Sequence, residues 1–249
     1  MRNLFAFRHP EWTLRRKLFG YMLLLAALLL LALVSGLFLF GRFDRVGKNI
    51  YESLDVQMDN FEKDISTHLE GLAAASIQLS LDTTALLESY LAEQGISFPE
   101  LNDSQPQITA VQDRMLESLR QKLLQENCSA AFVMLDVTVN SSLEDAAFSR
   151  SGLYLQQSGY NSLNKSTLLY RGPAEIGKQH GLVPHRKWRL EFRTDMFPSY
   201  SQILSGAMPP LEEAYLLTDR FTLPGTSEDA VLMAAPVLGR DGSFYGVCG

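Results

Sequence analysis

Cysteine is almost missing from this 249-residue chain. The two thiols, Cys128 and Cys248, cannot build the disulfide framework of a small secreted scaffold. A single bridge between them stays open, because spacing along the chain does not show proximity. Catalytic signatures are missing too: there is no Gly-x-Ser-x-Gly, no His-Glu-x-x-His and no phosphate-binding glycine loop. His180 and His185 lie in a Gly/Pro-containing stretch with no cysteine nearby, which reads as loop histidines and not as a metal pair. No enzymatic activity, metal or cofactor is therefore expected. A basic excess is missing as well, with 22 Lys and Arg against 28 Asp and Glu. Beyond residue 17 the balance is 17 basic to 27 acidic, an unfavourable charge for binding nucleic acid. The adjacent Glu212 and Glu213 read as a solvated patch.

Charge itself is missing from Leu18 to Phe40, and this absence says most. Those 23 residues are rich in Leu and Ala. At about 1.5 Å per residue a helix of that length crosses a hydrocarbon core of roughly 30 Å. Only helices and closed barrels satisfy every backbone group in lipid. The run is longer than the roughly 7–15 apolar residues of a cleaved signal. Its far end, Leu37-Phe38-Leu39-Phe40, is bulky where a cleavage site needs small residues. An uncleaved anchor is expected. Arg2, Arg8, Arg15, Arg16 and Lys17 precede it against one acid, Glu11, so the positive-inside rule puts the N-terminus in the cytoplasm. The expected division is a cytoplasmic segment 1–17, a transmembrane helix 18–40 and an extracytoplasmic domain 41–249.

After the span, Phe43, Val46, Ile50, Leu54, Met58, Phe61, Ile65, Leu69 and Leu72 recur at steps of three or four. That period predicts one long amphipathic helix leaving the membrane directly, with a seam suited to a homodimer. Asp82-Thr83-Thr84 reads as the N-cap of a separate short helix that stops at Gly95. Ser97 to Gln105 reads as a loop, and Pro106 as the first turn of a helix ending near Asn127.

The pattern then turns to strands. Ala130 to Val139 is a continuous apolar run ending in alternation, the mark of a central strand. Shorter strands are predicted at Ser151–Leu155, Leu168–Arg171, Trp188–Phe192, Ala214–Leu217 and Ala230–Val237. Glu175 to His180 suits one helical turn, and Pro198 to Pro210 a loop or short helix. Gly239-Arg240-Asp241-Gly242 predicts a tight hairpin turn of the primed type. A return strand follows from Ser243 to Cys248. A strand still running at Gly249 leads to the expectation of a fragment, with the sheet incomplete at the C-terminus.

The closing segment, Ala235-Pro236-Val237-Leu238-Gly239-Arg240-Asp241-Gly242-Ser243-Phe244-Tyr245-Gly246-Val247, resembles the last strands of the extracellular Cache sensor domains of bacterial receptors. Arg186-Lys187-Trp188 is similar to the arginine-x-tryptophan segment lining the membrane-distal pocket of many of them. Arg189 departs from the pattern, since many amino-acid-binding members carry tyrosine there. The resemblance spans roughly Phe43 to Gly249, with the specificity in the final twenty residues. It implies an α+β fold: an anchor helix continuing into a long helix, then a PAS-like antiparallel sheet with flanking helices. It also implies a small-molecule ligand, a second span, and an output module beyond it. AraC-type, histidine kinase and chemoreceptor modules all suit, the first being preferred. Arg186 and Trp188 are candidate ligand contacts, able to clamp a carboxylate or stack on an amine. Tyr215 and Asp219, at a strand end, are the second pair. The expected partners are the bilayer, the ligand and a second copy of the chain. A membrane-tethered envelope scaffold is the rival reading, and an anchored hydrolase with its active site past residue 249 a third.

Overall fold

The computed structural model describes residues 14–39, 42–158, 166–205 and 213–249. The expected cytoplasmic segment up to Thr13, the join at Phe40-Gly41, Glu212 and the stretch 206–210 lie outside the described residues. The chain divides into two compact units, Met1–Asp64 and Ile65–Gly249.

In the first unit, helix α1 (Leu14–Leu39) is 26 residues long and none of it is buried. Its length and composition suit a membrane span or a signal sequence. Helix α2 (Arg42–Gln94) follows. Its part in this unit leaves Ile50, Leu54, Met58 and Phe61 exposed. Their spacing puts them on one stripe of the helix.

The second unit begins within α2, which does not stop at Asp82. The expected break there fails for a physical reason. Thr84 Oγ1 donates to the Leu238 carbonyl at 2.9 Å, and Asp82 Oδ1 accepts from Gln78 Nε2 one turn back. Thr83 is buried. These side chains are spent on packing and on helix pairs, so none caps a new helix. α2 ends at Gly95, where φ is 66°. Ile96 N then reaches back to the Leu91 carbonyl at 3.1 Å, the wrap of a Schellman stop. The expected loop after it contains a 3-10 turn, Phe98–Leu101, whose Phe98 and Leu101 are buried. Helix α3 (Gln105–Gln125) starts one residue before Pro106. It buries Ile108, Val111, Met115, Leu116, Leu119 and Leu123.

The strands are β1 (Ala130–Leu135), β2 (Ser149–Arg150), β3 (Gly152–Ser158), β4 (Ser166–Arg171), β5 (Val183–Arg189) and β6 (Phe192–Arg193). They continue with β7 (Leu216–Leu217), β8 (Phe221–Thr222), β9 (Asp229–Ala230), β10 (Met233–Leu238) and β11 (Phe244–Cys248). Two short helices interrupt them, α4 (Ala174–Gln179) and α5 (Pro198–Ser205). Seven strands form one sheet in the order β5-β4-β3-β1-β11-β10-β7. Two-stranded pairs β2-β6 and β8-β9 lie apart from it.

The sheet is mixed, which corrects the expectation of an antiparallel one. β4 and β5 run parallel, because α4 carries the chain back between them. The expected strand Trp188–Phe192 is accordingly split, its first residues ending β5 and Phe192 opening β6. The other neighbours in the sheet are antiparallel. The hairpin between β10 and β11 also differs from expectation. Gly242 N donates to the Gly239 carbonyl at 2.9 Å, and Gly239 N to the Ser243 carbonyl at 2.8 Å. Only Gly242 of the four has positive φ, at 81°, so the turn is a type I turn closed by a left-handed glycine and not a primed one.

The apolar run in β1 reflects burial on both faces. Ala131, Val133 and Leu135 join the cluster with α2 and α3, including Leu79, Leu87, Met115 and Leu119. Phe132 and Met134 join the opposite cluster with Tyr154, Tyr170, Phe192, Phe197 and Tyr200. Each such side chain contributes about 1.5–3 kcal/mol of burial. One face of the sheet is therefore aliphatic and covered by helices, and the other is aromatic.

Candidate ligand face of the sheet

Three polar groups of the aromatic face matter for chemistry. The first is Arg171, at the end of β4, only 4% exposed. Its guanidinium lies 3.9 Å over the ring of Tyr170. Nη1 donates to the carbonyls of Tyr170 and Lys187 at 2.8 and 3.2 Å. Nε has no hydrogen-bond partner, and among the described residues no carboxylate forms an ion pair with this group. Burial lowers its pKa, and the nearby charge of Arg189 acts the same way.

Tyrosines surround it. Tyr170 donates its hydroxyl to the Pro224 carbonyl and meets Tyr154 edge-on at 5.0 Å. Burial raises the pKa of both phenols, so both remain neutral donors across the physiological range. His185 stands edge-on to Tyr170 at 4.9 Å, and its Nδ1 accepts from Lys187 N. Burial lowers its pKa, opposed by the charge of Glu228. Glu228, exposed in the turn before β9, accepts a hydrogen bond from Gln156 Nε2.

A cleft of about 450 Å³ opens beside this cluster. Tyr154, Gln156, Leu223 and Glu228 line it from the aromatic side, and Leu72, Ser76 and Leu79 of α2 from the helix side. The second polar group is Asp136, just past β1. It accepts from both Arg150 Nε and the Tyr200 hydroxyl, and Arg150 lies 5.6 Å over the Tyr200 ring. The third is Glu191, which gathers Thr138 Oγ1, Val139 N, Ser149 Oγ and Ser151 Oγ. These last two carboxylates each accept from several partners and tie separate segments together. Arg171 differs in having unmet capacity.

The four residues singled out from the sequence are dispersed. Arg186 and Trp188 both lie on β5, at one edge of the sheet. Arg186 is exposed. Trp188 is half-buried against the helix-side core, with Nε1 donating to the Gly172 carbonyl at 2.9 Å. Tyr215 and Asp219 flank β7 at the opposite edge, and both are exposed. The structure thus brings Arg186 and Trp188 near each other and near Arg171, through the Lys187 carbonyl between them. It does not bring the second pair to them. His180 bonds Asp113 through Nε2 at 2.7 Å, away from His185's contact with Tyr170. Among the described residues no group of three His, Cys, Asp or Glu could hold a metal ion. The two cysteines are free thiols.

Arg171, Tyr170 and Glu228 escaped the sequence reading. The one available signal was an arginine closing an apolar strand directly before Gly172-Pro173, which reads equally well as a strand end. Fold and site together define an α+β domain that follows an apolar helix and carries, on an aromatic sheet face, a buried guanidinium that pairs with no carboxylate among the described residues. No protein-family model, curated protein or solved structure matches this chain.

Proposed function

We propose that this chain is the input region of a bacterial transmembrane signalling protein, and that it holds a small ligand against the aromatic face of its sheet. The observation that supports this reading is Arg171: a buried guanidinium stacked on Tyr170, with Nε unpartnered and no carboxylate paired to it among the described residues. Leaving a charge so is costly unless something else meets it. A ligand carboxylate would supply the missing acceptor, and the tyrosines an apolar wall. Arg186 and Trp188 stand on the neighbouring strand β5, with Trp188 turned to the helix-side core, and Tyr215 and Asp219 lie at the far edge of the sheet.

In this reading α1 is an uncleaved anchor with its N-terminus in the cytoplasm, and the second unit lies outside the cell. The basic residues before the span support that orientation. The domain is of the Cache type, its signal leaves through α2, and the exposed stripe Ile50, Leu54, Met58 and Phe61 meets a second copy. The output module is of AraC type or a histidine kinase, beyond a second span. A ligand acts by preferring one of two states of the domain.

The test is a thermal-shift screen of the full chain in detergent with short carboxylic acids, amino acids and sugars. At least one carboxylate-bearing compound is expected to raise the midpoint in the natural sequence and to lose that effect in Arg171→Met. A screen with no hit in any class would favour the membrane-tethered scaffold instead.

A further inference from the structure

Residues 218 to 232 form an arm. Thr218 and Leu232 close its base: Thr218 N donates to the Leu232 carbonyl and Leu232 N to the Thr218 hydroxyl, both at 2.9 Å. The pairing then breaks, and resumes with Phe221 opposite Ala230 and Thr222 opposite Asp229. Asp219 and Arg220 therefore stand against a single residue, Val231. Two residues against one bend a strand pair. Past the bend the arm bonds to itself. Leu223 N donates to the Glu228 carbonyl and Thr226 N to the Leu223 carbonyl. Asp229 accepts from Thr222 Oγ1 and Arg220 Nε. Among the described residues β8 and β9 pair with each other and with no strand of the main sheet.

The arm leaves from one edge of the sheet, where β7 pairs β10, and its tip meets the other. Glu228 accepts from Gln156 of β3, and the Pro224 carbonyl accepts from the Tyr170 hydroxyl of β4. A Cβ at Gly225 would touch the stem of Lys187, on β5. β10 and β5 are five strand spacings apart, about 24 Å. The seven steps from Thr218 to Gly225 cover about 23 Å when extended, so the arm is long enough to cross the face. It rests on that face lightly. Between Phe221 and Ala230 only Leu223 is buried, within the aromatic cluster. Phe221 meets Phe197 edge-on at 6.1 Å.

What the tip covers is the surroundings of Arg171. It bonds Tyr170, on whose ring the guanidinium stacks, and it touches Lys187, whose carbonyl takes one of the guanidinium's hydrogen bonds. Arg171 is buried, so a ligand from solvent reaches its unpartnered Nε only when something above it moves. The arm can move as a unit, because its own bonds are internal and the two hydrogen bonds that hold its tip down come from side chains, Tyr170 and Gln156. We propose, on the reading of Arg171 as the ligand contact, that residues 219–230 are a hinged lid on that site, bending where Asp219 and Arg220 face Val231. Lifted, it admits the carboxylate; lowered, it shuts water out and is latched by the Tyr170 hydroxyl.

The experiment locks the lid. A Cβ at position 225 would lie 3.9 Å from Lys187 Cβ, within the span of a disulfide. The full chain carrying Lys187→Cys and Gly225→Cys is compared in detergent, oxidised and reduced, so that strain from a side chain at position 225, where φ is 76°, is common to both forms. Peptide mapping verifies the bridge and reads modification of Arg171 by phenylglyoxal. Oxidation is expected to slow that modification by about tenfold or more, and reduction to restore it, with Arg150 unchanged. Tyr170→Phe, which drops the latch, is expected to speed it by about three- to tenfold. Equal modification of Arg171 in the two forms would overturn the lid. So would equal slowing at Arg150, since the bridge would then act on unfolding as a whole. Should the bridge fail to form, Tyr170→Phe decides alone, an unchanged rate overturning the lid. The thermal shift given by a carboxylate is expected to vanish on oxidation. A shift that survives while Arg171 stays protected would support the lid and refute Arg171 as the ligand contact, so either idea can fail alone.

Discussion

The Ser80 hydroxyl of α2 donates to the Pro236 carbonyl of β10, with Ser80 fully buried. Pro236 lies beyond the two residues of β10 that β7 pairs, and its carbonyl is met from the helix instead. Ser76 and Thr84 repeat the contact one turn to either side, to Met233 and Leu238. Three hydroxyls at four-residue spacing thus join one face of α2 to the length of one strand. In the signalling reading, this is how a shift in the sheet reaches the helix.

Removing the central bond leaves a buried carbonyl without its partner. Ser80→Ala is expected to cost about 1–2 kcal/mol in denaturant unfolding. Ser80→Val is expected to cost more, because it adds volume at a fully buried contact. A change of less than about 0.5 kcal/mol for both would show that the contact is incidental.

Gly246 has φ at 152°, and a Cβ there would collide with the Met134 carbonyl. Backbone cannot yield as a flexible side chain can. Gly246→Ala is expected to destabilise by about 3 kcal/mol or more, or to prevent folding. Gly181 also has positive φ, at 66°, but a Cβ there meets nothing within 4 Å. Gly181→Asn is therefore expected to change stability by less than about 1 kcal/mol, since asparagine tolerates this conformation. Equal losses at the two sites would contradict this account.

Tyr200 has its pKa pushed up to about 12, first by burial and then by its hydrogen bond to Asp136. The unfolded phenol ionises near 10. Above that pH the unfolded chain sheds this proton while the folded one keeps it, so stability falls from about pH 10 to about pH 12. The contribution is fully present below pH 10. Tyr200→Phe is expected to cost about 1–2 kcal/mol at neutral pH, and the gap from the natural sequence should narrow above pH 10. Unfolding curves at pH 8 and pH 11 check this, and a gap that stays constant would count against it.

How much of this was legible in advance depended on whether the signal was local. The apolar helix, the α3 stripe and the central β1 run were readable because burial imposes a period on adjacent residues. The break at Asp82 was misread because a cap and a tertiary hydroxyl use the same residue types. Thr84 and Asp82 look alike in sequence whether they bond the next turn or a distant strand. The parallel β4-β5 pair was hidden in the short α4 crossover. Trp188 lies on a strand as expected, while Arg186, outside the predicted strand, lies on β5 as well, and their distance from Tyr215 and Asp219 depends on strand order. That order is set by long-range pairing, and no spacing in the chain reports it.

The thiols give a further check. Cys248 is fully buried and its pKa is raised by burial, while Cys128 is half-buried. Reactivity needs thiolate and access together. A thiol reagent at pH 8 is expected to modify at most one cysteine of the folded chain, Cys128, and both after denaturation. Rapid labelling of Cys248 in the folded chain would mean that β11 opens readily.

Arg171 allows the sharpest separation of a binding role from a structural one. A buried charge without a counter-charge contributes little to folding, and its removal by an apolar side chain of similar length relieves desolvation. Arg171→Met keeps an unbranched aliphatic stem and discards the guanidinium stacked on Tyr170. Relief of desolvation offsets the lost donors to the Tyr170 and Lys187 carbonyls, so stability is expected to change by less than about 2 kcal/mol, while the thermal shift given by a carboxylate is abolished. Arg171→Ala also loses the stem and is expected to destabilise by about 1–3 kcal/mol through packing alone. If Arg171→Met instead costs more than about 3 kcal/mol without any ligand present, the two carbonyl contacts to Tyr170 and Lys187 are what the guanidinium is for. The residue would then be a brace between β4 and β5, and the anion site would have to be sought elsewhere on the sheet.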